Sequence, residues 1–144
     1  MTGSPVVIDA NLALKLVLPS PSQDRCQDAF NQLASQGCEL VAPTLWACET
    51  TSALCKAVHF GHLTPDEGRL ALEQLAKLGV RQVAPDAAQS RRAFEWSLRL
   101  RRAAAYDSYY LVLAESLGCE LWTADRRLAN AVNAPWVRWV DSET

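Results

Sequence analysis

Four acidic residues dispersed along the chain each lie beside or within an apolar segment: Asp9, Glu49, Asp107 and Asp125. A carboxylate at the edge of a core is costly unless a cation or hydrogen-bond donors stabilise it. If several carboxylates converged they would repel one another, and hard divalent ions such as Mg²⁺ or Mn²⁺ would relieve that repulsion. Two such ions can activate a water and stabilise the leaving oxygen in phosphodiester cleavage. The residue types therefore favour metal-dependent hydrolysis.

Three of these acids also have an ordinary structural interpretation, which the local sequence leaves open. Asp9 and Asp125 could be N-caps of the helices that follow them, and Asp107 could lie in a first helical turn, where the helix dipole favours an acid. Glu49 resists such an explanation, because its neighbours one helical turn away, such as Trp46, are mostly apolar or small. An inward-facing glutamate needs an arginine or a metal shared with other acids; otherwise Glu49 is a partly exposed residue near a helix end.

Polar and basic residues could complete such a site. Asn11 could orient Asp9 or contact a water on the metal, with turn chemistry as the plain alternative, and Thr123 offers a hydroxyl near Asp125. Basic residues could contact the phosphates of a substrate around the acids, or could form only a solvated helix face. The candidates, which share one helical sector of about 100° or directly follow Asp125, are Arg91, Arg92, Arg99, Arg102, Arg126 and Arg127.

The elements that would position these residues alternate between short apolar runs and helical segments. The clearest helix start is a capping box, with Thr64 as N-cap, Pro65 first in the helix and Glu67 third. The alternation, with no hairpin signal such as Asn-Gly, predicts a three-layer α/β domain with a parallel sheet. In such sheets, functional groups gather at the carboxyl ends of the strands. The predicted strands are 5–9, 39–42, 80–84, 120–123 and 136–140, and the predicted helices are 10–18, 22–36, 43–60, 65–78, 87–102, 106–117 and 125–132.

The composition limits the class of protein. A chain of 144 residues, 49% of them hydrophobic, fits one domain over residues 1–144 that buries a real core. Its 14 basic and 16 acidic residues give a net charge of −2, which provides no global attraction to nucleic acid. No signal-like or membrane-spanning apolar segment is found. The odd number of cysteines, with no Cys-x-x-Cys pair, predicts reduced thiols in a cytoplasmic protein; they are Cys26, Cys38, Cys48, Cys55 and Cys119.

Four strings, in order over nearly the whole chain, resemble the motifs of PIN-domain nucleases, and most closely those of the VapC-type toxins of bacterial toxin–antitoxin pairs. The strings occupy residues 7–11, 46–54, 106–114 and 123–128, and read Val-Ile-Asp-Ala-Asn, Trp-Ala-Cys-Glu-Thr-Thr-Ser-Ala-Leu, Tyr-Asp-Ser-Tyr-Tyr-Leu-Val-Leu-Ala and Thr-Ala-Asp-Arg-Arg-Leu. One departure is that Ala103, Ala104 and Ala105 stand where many members of the family have a serine or threonine. That change removes no carboxylate.

The resemblance implies a PIN-like fold with a five-stranded parallel sheet in the order 3-2-1-4-5, flanked by helices. It implies an endoribonuclease that depends on Mg²⁺ or Mn²⁺, acts by two-metal-type hydrolysis, and usually forms a homodimer with an antitoxin protein as a further partner. Its catalytic, metal-binding acids map to Asp9, Glu49, Asp107 and Asp125, and its supporting polar residues to Asn11 and Thr123.

Two other functions remain open at this stage. A non-catalytic PIN-like module could bind RNA or a protein without cleaving anything. A receiver-like or phosphatase-like phosphotransfer protein could use Asp9, directly after the first strand, as a nucleophile. Cleavage of RNA supports the main hypothesis, and a trapped phospho-aspartate supports the last.

Overall fold

A computed structural model describes residues 3–21 and 23–140. Within these residues, five short strands form one sheet: β1 Pro5–Ile8, β2 Glu39–Pro43, β3 Arg81–Val83, β4 Leu121–Thr123 and β5 Val137–Trp139. All neighbouring strands run parallel, in the order β3-β2-β1-β4-β5, so the predicted order is confirmed. The central strand, β1, is an uninterrupted apolar run because both of its faces are covered, and Val7 and Ile8 are fully buried.

In the part of the chain that the structure describes, seven helices flank the sheet, at nearly the positions predicted. They are α1 Ala10–Val17, α2 Gln23–Ser35, α3 Leu45–His59, α4 Pro65–Ala76, α5 Ala87–Leu100, α6 Tyr106–Leu117 and α7 Arg126–Val132. The capping box at Thr64 is present, with both of its hydrogen bonds formed. Ser22, the predicted first residue of the second helix, lies outside the described residues. None of the helices in the described ranges is long and apolar enough to cross a membrane.

Several element boundaries differ from the prediction by one or two residues, and for two of them the structure gives a physical reason. Pro43 was predicted to open a helix but ends β2, because it pairs with Val83 and the amide of Thr44 donates to the carbonyl of Val83 at 3.1 Å. The fifth helix was predicted to reach Arg102 but ends at Leu100, because Arg101 adopts the left-handed conformation (φ 55°). The backbone therefore turns just before the segment that leads into α6.

The packing of α1, α3 and α6 brings the acids toward one edge of the sheet. Helix α6 packs on β1, β2 and β4, and α1 contacts α3. Strands β1 and β4 are neighbours, so the residues that follow them emerge side by side at the carboxyl edge of the sheet. The residues at the ends of β1 and β4 and at the starts of the helices that follow them therefore lie at the carboxyl edge of the sheet.

Candidate metal centre

Asp9 lies at the centre of the acid cluster, where β1 gives way to α1. It is only 6% exposed, and its Oδ1 accepts a hydrogen bond from the amide of Leu12 at 2.8 Å, which makes it the N-cap of α1. Its Oδ2 accepts a hydrogen bond from the hydroxyl of Thr123, a buried residue at the end of β4. The N-cap and the buried-carboxylate interpretations are therefore both correct for this residue.

Asp125 occupies the equivalent place after β4. Its Oδ1 accepts from the amide of Leu128 at 3.1 Å, so it caps α7, and its own amide donates to the Thr123 hydroxyl oxygen at 2.9 Å. The Thr123 hydroxyl therefore connects Asp125 to Asp9. The hydroxyl of Thr123 therefore lies where the sequence predicts a supporting hydroxyl.

Glu49 reaches the same region from α3. Its Oε1 accepts a hydrogen bond of 2.7 Å from the hydroxyl of Tyr110, which is 2% exposed. Tyr110 stands one turn after Asp107 on α6, so one helix supplies an acid and the group that orients another acid. Sequence reasoning missed Tyr110, although a tyrosine on the buried face of a helix needs a hydrogen-bond partner. Burial and the bond to Glu49 raise the pKa of the Tyr110 hydroxyl, so it remains a donor.

The charges of the four acids act on one another. Burial raises the pKa of Asp9 to about 7, with smaller contributions from the charges of Asp107 and Asp125. Burial also raises the pKa of Glu49 and of Asp107, and each is raised further by a neighbour, Glu49 by Asp107 and Asp107 by Asp125. Arg102 acts in the opposite direction on Asp107, from an Nη1–Oδ2 distance of 3.8 Å. The four acids predicted from the sequence therefore lie near enough for their charges to act on one another, and Arg102 offsets this repulsion at Asp107.

Oxygen donors of this kind fit a hard divalent cation. Within residues 3–21 and 23–140, however, no three acidic, histidine or cysteine side chains already lie at metal-ligating spacing. Asp9 and Asp125 direct an oxygen at a backbone amide, Glu49 at Tyr110, and Asp107 toward Arg102. A carboxylate can accept further bonds after such contacts. The donor set therefore fits a metal, and side-chain rotation would have to complete the ligation.

The arginines predicted to contact phosphates on α5 are mostly engaged with the protein itself. Arg92 forms an ion pair with Glu115 at 3.0 Å, and the guanidinium of Arg99 stacks on Trp96 with its carbon 4.1 Å from the ring centroid. Arg102, which follows α5, lies near an acid of the cluster, Asp107. Because α5 ends at Leu100, Arg102 lies outside the predicted helical sector. The three arginines that remain on the helix do not share a role.

The remaining three candidates are exposed. Arg91 is exposed on α5. Arg126 and Arg127 line a cavity of about 720 Å³ together with Asn11 and Asp125. The guanidinium carbon of Arg126 also lies 5.3 Å from the centroid of a tryptophan ring. Asn11 is exposed beside the acids, as expected of a residue that could contact a water there.

The buried carboxyl of Asp9 predicts how stability depends on pH when no metal is bound. The pKa of Asp9 is raised from 3.8 to about 7, so between these values the folded protein holds a proton that the unfolded chain releases. We therefore expect the free energy of unfolding in EDTA to fall as pH rises from about 4 to about 7, by an amount on the order of a few kcal/mol. Urea denaturation across this range measures the slope. Asp9→Asn should flatten it, and parallel curves for the two proteins would contradict the prediction.

A protein-family model and individual relatives both match most of this chain. The model of the PIN domain family matches residues 6–133. Ribonuclease VapC3 of Pyrobaculum aerophilum is 32% identical over 125 residues, which cover 86% of this chain and 92% of that protein. Ribonuclease VapC9 of Mycobacterium tuberculosis is 33% identical over 129 residues, which cover 90% of this chain and 92% of that protein.

A solved structure shares the fold. VapBC2 of Rickettsia felis, crystallised with a DNA fragment from its promoter, superposes with a TM-score of 0.68 at 11% identity. The match covers 94% of this chain and 96% of that one. At this identity the likeness concerns the arrangement of the sheet and helices alone.

Proposed function

The chain belongs to the PIN domain family, and from that membership and its acid cluster we propose that it is an endoribonuclease that depends on Mg²⁺ or Mn²⁺. The observation that carries the proposal is the buried carboxyl of Asp9, whose pKa is raised by burial and by the charges of Asp107 and Asp125. Burial and repulsion from neighbouring carboxylates make an ionised carboxylate unfavourable in the absence of cations. The relatives named as ribonucleases support RNA as the substrate.

Each acid has a proposed role. Asp9, Asp107 and Asp125 would hold the metal, and Glu49 would bind metal or position the attacking water. Bound divalent ions would supply acidity to that water and positive charge against the phosphodiester, in two-metal-type hydrolysis.

Neighbouring side chains would keep the acids in place. Thr123 donates to Asp9 and so fixes the orientation of that carboxylate. Tyr110 does the same for Glu49. Asn11 and Arg102 stand at the rim, where Asn11 could contact a water and Arg102 could contact either Asp107 or a substrate phosphate.

An RNA cleavage assay tests the proposal. Purified protein should cleave RNA with Mg²⁺ or Mn²⁺ present, lose that activity in EDTA, and recover it when excess divalent ion is added back. Undiminished cleavage in EDTA would overturn the metal requirement. A protein that cleaves no class of RNA and gains no stability from divalent ions would instead be a non-catalytic member of the family.

We extend the proposal to the biological setting of the enzyme. It would be a toxin that acts in the cytoplasm, forms a homodimer and is inhibited by a cognate antitoxin protein, as the family resemblance implies. A measurement of molar mass in solution tests the dimer. A reading frame for a small DNA-binding protein next to this gene would support the antitoxin, and loss of cleavage on adding its product would demonstrate it.

A further inference from the structure

Two cavities flank the acid cluster. One, which we call the Asp125 cavity, has a volume of about 720 Å³ and includes Lys15 and Arg127 in its lining. The other, which we call the Glu49 cavity, has a volume of about 370 Å³ and is lined in part by Glu49, Lys56 and Tyr106. Ala53 lines both, so the two cavities meet at the small side chain of this residue. Each cavity has one of the acids in its lining, Asp125 in the first and Glu49 in the second.

The Glu49 cavity carries side chains that suit one nucleotide. Tyr106 is the first residue of α6 and is 62% exposed, although it is a large aromatic side chain. Lys56 is exposed on α3, two turns beyond Glu49, and within the described ranges it forms no ion pair. An aromatic face can stack on a base, and an unpaired ammonium can contact a phosphate.

The Asp125 cavity offers positive charge without a comparable aromatic residue in its lining. Lys15, half-buried on α1, contributes charge from one wall, and Arg126 and Arg127 contribute from another. The net charge of the chain is −2, so attraction for a polyanion has to be local in this way.

We propose that the Glu49 cavity is a nucleotide subsite in which Tyr106 stacks on an unpaired base and Lys56 contacts the adjoining phosphate. The strand continues past Ala53 into the Asp125 cavity, where Lys15 and Arg127 contact its backbone. This inference rests on the proposed function and adds to it a residue that binds a base and a residue that contacts a phosphate. A base inside a duplex cannot present its face to Tyr106, because its neighbours in the stack already cover it.

The stacking contact is tested by fluorescence. Short single-stranded oligoribonucleotides carry 2-aminopurine at successive positions, and they are bound to full-length protein in Mg²⁺, in an Asp9→Asn background that prevents cleavage. One position should be quenched, the quenching should vanish with Tyr106→Ala, and Tyr106→Trp should restore it. Affinity should fall about five-fold to a hundred-fold in the alanine variant. Phe94→Ala is the matched control, because Phe94 is 59% exposed on α5 and lines neither cavity.

The phosphate contact is tested by the salt dependence of binding. For a single strand each phosphate contact contributes about 0.7 to the slope of log affinity against log salt concentration. Lys56→Ala should therefore flatten the slope by about this amount, Lys56→Arg should retain it, and Lys77→Ala, which removes an exposed lysine outside both cavities, should leave it unchanged.

Cleavage kinetics separate this inference from the proposed function. In otherwise wild-type protein, Tyr106→Ala should raise KM more than it lowers kcat. If the protein cleaves RNA and Tyr106→Ala changes neither the quenching nor KM, the subsite is wrong and the nuclease stands. If the protein cleaves no RNA but single strands bind with quenching that depends on Tyr106, the subsite stands and the nuclease fails. Duplex RNA bound as tightly as single-stranded RNA, or no RNA bound at all, would also overturn the subsite.

Discussion

Replacement of Asp9 by asparagine is expected to lower the rate of RNA cleavage by on the order of a hundred-fold or more, while the metal-free protein stays folded. Asparagine keeps the shape of the side chain and can still accept the hydrogen bond from the amide of Leu12, so α1 keeps its N-cap. It loses the negative charge of Asp9 and the second oxygen that accepts from the hydroxyl of Thr123. We therefore expect this variant to lose cleavage activity and to keep its stability.

The loss of that charge should even favour the metal-free fold near neutral pH. The carboxyl of Asp9 is almost completely buried, and the charges of Asp107 and Asp125 raise its pKa further, so ionising it has a cost that asparagine avoids. Thermal denaturation in EDTA at pH 8 should give a melting temperature for Asp9→Asn at least as high as that of the wild type. The cleavage assay is performed on the same preparations.

A matched control is available on α5. Asp86 is also an N-cap, with its Oδ1 accepting from the amide of Gln89 at 2.8 Å, but it belongs to no acid cluster. Asp86→Asn should keep both the activity and the melting temperature. If both variants cleave RNA as fast as the wild type, the proposed role of Asp9 is wrong. If Asp9→Asn is inactive only because it unfolds, the EDTA melting curve will reveal it.

The sequence predicts the elements of this fold well because its signals are local. The apolar run before Asp9 marks a strand buried on both faces, and Thr64 and Glu67 form the predicted capping box. The order of the strands came from a family resemblance, because spacing alone does not determine which strands are neighbours. Pro43 shows the limit of local signals, since pairing with Val83 of β3 keeps it in a strand although proline often opens a helix.

The site was predictable only in part, for a related reason. The four acids could be found because each stands at a strand end, at a helix start or among apolar neighbours. The link between Tyr110 and Glu49 joins residues 61 apart in sequence, and no local pattern indicates it. The same limit explains the arginines of α5, because the periodicity of that helix cannot show that Glu115 on α6 would form an ion pair with Arg92. Long-range packing decides such partners.

The melting temperature should rise when Mg²⁺ or Mn²⁺ is added, because a ligand that binds only the folded protein stabilises it. At a hundred times the dissociation constant the gain is about 2.7 kcal/mol, which for a domain of this size corresponds to roughly 5 to 10 °C. The rise should be smaller at pH 5.5 than at pH 8. Metal and proton compete for Asp9, whose pKa is about 7, so below that value the metal must first displace a proton.

Asp107→Asn should abolish most of this rise, because it removes a proposed ligand from the cluster. The matched control is Asp66→Asn, since Asp66 also lies in a first helical turn and forms an ion pair with an arginine, Arg69, at 2.7 Å. Asp66→Asn should leave the rise in melting temperature intact. The rise should also stay the same when part of the buffer salt is replaced by KCl at constant ionic strength. An equal rise in Asp107→Asn would mean that the ions bind elsewhere on the protein. If the rise in melting temperature did not depend on pH, the metal would not bind Asp9. The raised pKa of Asp9 would then be a consequence of its burial alone.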